Sequence, residues 1–170
     1  MTSFFAQPEF WRAARLVADA ALQLVMAFTG TVAFSVLFSV PPRFYVACGA
    51  TGSVGWAVYL FISYTFKMPV MATFAASIVL TAVSRALSVR CKASTTVFLL
   101  CGIFTLVPGA GIYYTAYSFF IGAEEAAMLK GIESIKMAVA IGLGIGVAYS
   151  IPTRVFGWKK KPEVWRGEDS

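Results

Sequence analysis

The residues best suited to chemistry lie in one run, Leu106-Val107-Pro108-Gly109-Ala110-Gly111-Ile112-Tyr113-Tyr114-Thr115, inside an otherwise apolar stretch. Pro108 carries no N–H and its ring disfavours the helical turn before it, while Gly109 and Gly111 permit non-helical backbone angles. Unpaired main-chain groups at membrane depth cost several kcal/mol each unless protein or a water-filled cavity supplies partners. A helix restarting after Gly111 would offer free N–H groups and the positive end of its dipole, which suit a carboxylate. Tyr113, Tyr114, Thr115 and Tyr117 could add hydroxyl contacts. The alternative is a simple proline kink flanked by interfacial tyrosines.

Other polar residues compete for a role. Asp19 lies one turn after Arg15, where a local ion pair or, as a minority reading, a coupling site is expected. Arg85 is placed to snorkel toward the surface alongside Arg90. Glu124, Glu125, Lys130, Glu133 and Lys136 read as a mixed-charge connector, a short amphipathic helix that is either a solvated face or the entrance to a path. Gly49, Gly52 and Gly55 share a face of one apolar stretch, and Gly142 and Gly146 form a small-xxx-small pair in another, so close helix packing within the subunit or against a partner is expected. Cys48, Cys91 and Cys101 match no metal or redox spacing and read as small packing residues.

Catalytic signals are missing. The sequence has no histidine, no GxSxG, no phosphate-cradling loop and no carboxylate cluster within an apolar stretch. An enzyme is therefore not expected, and neither is a metal or a cofactor.

The elements that must position these residues follow from composition. With 59% hydrophobic and 13% charged residues over 170 positions, the chain has too little polar surface for a globule in water. Five apolar stretches emerge: Leu16–Val40, Phe44–Phe66, Val70–Val89, Ala93–Gly122 with its Pro-Gly interruption, and one beginning within Gly131–Lys136 and reaching Ile151-Pro152. The expected architecture is an all-α integral membrane protein of about five transmembrane helices, the fourth broken at Pro108–Gly111. One helical domain over 1–153 carries a polybasic tail over 154–170. Met1–Gln7 lacks a basic n-region and Arg12, Arg15 and Asp19 interrupt any early apolar core, so no cleaved signal is expected and residues 1–170 read as the mature chain.

Lys and Arg counts suggest the orientation. The N-terminal side holds Arg12, Arg15, Lys67, Lys130 and Lys136, and the opposite side Arg43, Arg85, Arg90, Lys92, Arg154, Lys159, Lys160, Lys161 and Arg166. Five against nine favours an outer N-terminus and a cytoplasmic C-terminus, although Arg12 and Arg15 against Arg43 would orient the first helix oppositely. Phe10 and Trp11 suit an interfacial anchor, and the basic tail with Trp158 and Trp165 suits anionic lipid rather than nucleic acid. A re-entrant fourth segment would leave four spans and weaken the bias to eight against six. A broken but complete crossing fits better, since Ala93–Gly122 would span about 45 Å as helix.

With these landmarks placed, the chain resembles the threonine/serine exporter family, in its small second-component form corresponding to the C-terminal membrane half of the fused members. The likeness is carried by Leu37-Phe38-Ser39-Val40-Pro41-Pro42-Arg43, Gly49-Ala50-Thr51-Gly52-Ser53-Val54-Gly55-Trp56, Ala72-Thr73-Phe74-Ala75-Ala76-Ser77, and Leu106-Val107-Pro108-Gly109 with Tyr113 or Tyr114, in that order and spacing. The resemblance implies ion-gradient-driven export of small amino or carboxylic acids, such as threonine, serine or dicarboxylates, across a bacterial cytoplasmic membrane. It also implies a partner, a longer first-component membrane protein with a cytoplasmic N-terminal region that this chain lacks. A subunit with an odd number of spans fits an inverted-topology pair with a midplane site at broken helices. The competing reading is a non-transporting accessory subunit that only stabilises its partner.

Overall fold

A computed structural model describes the backbone of residues 8–151 and the side chains of residues 15–151. The side chains of Phe10, Trp11 and Arg12 and the basic tail from Arg154 lie outside the described residues. The order is α1 (Pro8–Leu37), a 3₁₀ turn (Pro42–Phe44), α2 (Tyr45–Phe66), α3 (Pro69–Cys91), α4 (Thr95–Ile103), α5 (Gly109–Phe120) and α6 (Glu124–Ser150). The described residues contain four helices long and apolar enough to cross a membrane, based on α1, α2 with its preceding turn, α3 and α6. The two short helices α4 and α5 form the interrupted segment between α3 and α6.

Local chemistry sets the boundaries. Pro69 opens α3, where a missing N–H costs nothing. Lys67 and Lys92 close α2 and α3 in the left-handed conformation, at φ 53° and 49°. The Ser94 hydroxyl caps α4 by accepting from the Thr96 N–H at 3.3 Å. α5 stops at Gly122, whose φ of 78° suits glycine, and the Ala123 N–H returns to the Ser118 carbonyl at 2.9 Å. No proline follows until Pro152. The mixed-charge stretch from Glu124 to Lys136 is therefore the first half of α6, in contrast to the expected separate surface helix.

α2 packs on α1 and α3, α6 packs on α3, and α4 lies against α2 and α3. At one end of the bundle Val40, Phe44, Cys48, Phe98 and Cys101 form a buried cluster, with Phe44 edge-on to Phe98 at 5.7 Å. All three cysteines are free thiols. Nearer mid-depth, Ala76, Leu80, Leu106 and Ile141 form a second cluster.

Small residues set the closest approaches. A Cβ on Gly49 would meet the Phe28 ring at 2.6 Å, one on Gly52 would run into the Thr31 hydroxyl, and one on Gly55 would meet Leu80 at 2.6 Å. In α6 the tight contact is at Gly144, pressed onto Ser77 and the Phe74 carbonyl of α3. Gly142 and Gly146 have nothing within 4 Å of where a Cβ would stand, so at these positions α6 meets no other helix among the described residues. The buried hydroxyls of Thr73, Thr81 and Ser84 donate to carbonyls one turn earlier in α3, so close packing leaves none of them unsatisfied.

Candidate functional site

α4 ends at Ile103, and Pro108, which disfavours helical angles at Val107, keeps the helix from resuming before it. Phe104–Pro108 are non-helical, and Gly109, Ala110 and Gly111 form the first turn of α5. The interruption thus falls at the expected proline and extends upstream of it. Its first residue is fixed by aromatic packing, since the Phe104 ring stacks on Phe34 at 4.5 Å and lies 5.5 Å from Phe38. Its far end is fixed where Gly111 rests on Ser134 of α6.

The interruption leaves main-chain groups open. The Val107 N–H bonds back to the Ile103 carbonyl at 3.2 Å, Gly109 to Val107 at 2.7 Å, and Ile112 to Pro108 at 3.0 Å. Among the described residues the Ala110 and Gly111 amides have no hydrogen-bond partner, and the Phe104, Thr105 and Leu106 carbonyls accept no main-chain hydrogen bond. Two donors and three acceptors therefore remain within eight consecutive residues.

Of this segment, Thr105 to Gly111 border a cavity of about 530 Å³. Pro108, Gly109, Ala110, Gly111 and Tyr114 line it from the broken segment, Trp56 and Tyr59 from α2, Thr73 from α3, and Lys130, Glu133 and Ser134 from α6. Trp56 stands at mid-length of α2, so the cavity runs from the middle of the bundle toward the end where α2 finishes and α3 begins. The Trp56 indole donates to the Gln23 side-chain oxygen of α1 at 3.3 Å and stacks on Tyr59 at 5.0 Å. A second cavity of about 400 Å³ lies toward α1, and Trp56 and Thr105 line both, so they divide the two spaces. A larger groove of about 790 Å³ between α5 and α6 has an almost wholly apolar lining and suits no polar solute.

The other candidates fall elsewhere. Tyr113 and Tyr117 stack on each other at 6.3 Å on an exposed face of α5, away from the cavity. Thr115 faces α6 beside Gly131, and its hydroxyl donates to the Gly111 carbonyl at 2.7 Å. Asp19 is exposed and forms no ion pair with Arg15 among the described residues; an arginine one turn before an aspartate runs against the favoured order. Arg85 does not snorkel outward but is buried, its guanidinium donating to the Ala148 carbonyl and standing 5.5 Å from the Tyr149 ring. The α6 terminus supplies what a buried guanidinium needs, carbonyls without helical partners and the negative end of a dipole.

Fold and cavity together define a multi-pass, all-helical membrane protein in which one interrupted segment opens main-chain donors and acceptors onto an internal space. The family model described as Threonine/Serine exporter, ThrE, matches residues 23–151, well over half of the chain. The chain belongs to the threonine/serine exporter family. The matched range contains every residue lining the cavity. Comparison with curated proteins and with solved structures gave no match.

Proposed function

We propose that this chain is one subunit of an ion-gradient-driven exporter of small amino or carboxylic acids, threonine, serine or dicarboxylates among them, and that the cavity at the broken segment is part of the substrate path. The observation that carries this reading is the set of open amides at Ala110 and Gly111 and open carbonyls at Thr105 and Leu106 beside a space of about 530 Å³. Such a space accommodates a molecule of threonine size, and open main-chain groups persist at membrane depth where a ligand or water can take them. The amides suit a carboxylate and the carbonyls an ammonium or hydroxyl.

The reading includes a larger first-component membrane partner of the same family, a bacterial cytoplasmic membrane, and an outer N-terminus with an inner C-terminus. The support for that orientation is the Lys and Arg count over the full sequence, nine against five; the described residues alone divide evenly, with Arg15, Lys67, Lys130 and Lys136 at the cavity end and Arg43, Arg85, Arg90 and Lys92 at the other. Asp19 stays a weak candidate for coupling, and the basic tail is assigned to anionic lipid.

Gly109→Leu tests the site. Nothing stands within 4 Å of a Cβ at Gly109, and the residue lines the cavity, so a side chain there starts from open space. In cells expressing both components and loaded with threonine, serine and succinate, this variant should reach the membrane at normal level yet lose efflux. Unchanged efflux would overturn the site. A purely supporting role draws on α5, which buries no residue of its own against the other described residues. Transport by the reconstituted partner alone would establish that second reading.

A further inference from the structure

The charged lining of the cavity is one cation and one anion. Lys130 and Glu133 sit one turn apart on α6, with Nζ and Oε2 at 3.5 Å and side chains 55% and 43% exposed. A half-exposed pair of this kind is held weakly, because water competes for both partners. Exchange of each partner for a ligand charge therefore meets little resistance. Trp56, Tyr59 and Met137 line the same cavity and give it an apolar wall beside the pair.

From this geometry we infer that Lys130 and Glu133 determine specificity, parting to hold the carboxylate and ammonium of a zwitterionic α-amino acid, and that they discriminate against dicarboxylates of the same size. An α-amino acid carries opposite charges on one carbon, so a lysine and a glutamate one turn apart meet both at once. A dicarboxylate brings two negative charges to a site with one lysine, and its second carboxylate meets Glu133 as a like charge. The inference rests on the cavity being the substrate path.

The test measures efflux of threonine and succinate side by side in the two-component system. Glu133→Gln should lower threonine efflux about tenfold, the loss expected for one charge-assisted contact, while succinate efflux holds or rises. Glu133→Lys should extend the change until succinate is preferred, and Lys130→Gln should depress both. Neither side chain is buried, so each variant should reach the membrane, which immunoblotting checks. Gly109→Leu is run alongside. If it abolishes efflux while the threonine-to-succinate ratio stays constant in both Glu133 variants, the specificity inference is wrong and the path stands. Full efflux in every variant would overturn both.

Discussion

Arg85 is the residue that ties two membrane helices by charge rather than by shape. The residue is 6% exposed, and its guanidinium donates to a carbonyl in the last turn of α6. Replacing it with leucine strips that carbonyl of its donor, and Arg85→Leu should destabilise the protein by about 1–3 kcal/mol. Arg85→Lys should recover only part of the loss, since an ammonium lacks the planar fork of donors. Thermal unfolding in one detergent compares the three, and equal midpoints would show that the bond contributes nothing. This contact was beyond reading from sequence, because a lone arginine near a helix end gives the same signal whether it reaches outward or inward. Pro108–Gly111 was legible because proline and glycine act on the backbone locally. Trp56 and Lys130 belong to the same site through packing alone, and no local signal joins residues 56, 108 and 130.

At the scale of elements, glycine spacing marked which helices are closely packed but not which glycine makes the contact. Gly142 and Gly146 repeat at four, yet Gly144 between them meets α3, where a Cβ would stand 2.8 Å from the Phe74 carbonyl. Main chain cannot rotate away as a side chain can. Gly144→Ala should therefore cost about 1–3 kcal/mol, whereas Gly142→Ala should stay within about 0.5 kcal/mol of the parent. Paired melting curves decide this, and equal losses would place the helix contact elsewhere. The four long helices were legible from hydropathy, with boundaries close to those observed for α2 and α3, whereas α1 begins eight residues before the expected Leu16, at Pro8. The start of α6 was not, because charges resembling a connector continue the helix once Gly122 has turned the chain.

At the scale of the whole molecule, the Lys and Arg count over the full sequence sets the expected orientation. In a Cys91→Ser background, with Cys48 and Cys101 buried, a membrane-impermeant thiol reagent added to intact cells should label Glu125→Cys and leave Arg90→Cys untouched. The reverse pattern would invert the subunit. The same end carries a step in the outline. α3 and α6 run parallel, and Ser77 lies eight residues into α3 where Gly144 lies twenty into α6, so α6 runs on past the start of α3 by about 18 Å at 1.5 Å per residue. That projection, with α5 laid along it, acts as a lever on the Gly144–Ser77 contact. A tilt of about 10° there would carry the α6 start about 5 Å and the Ser134 wall of the cavity about 2.6 Å, close to the width of a water molecule. A neighbour pressing on the projecting hairpin would thus work the cavity mouth with the longer arm.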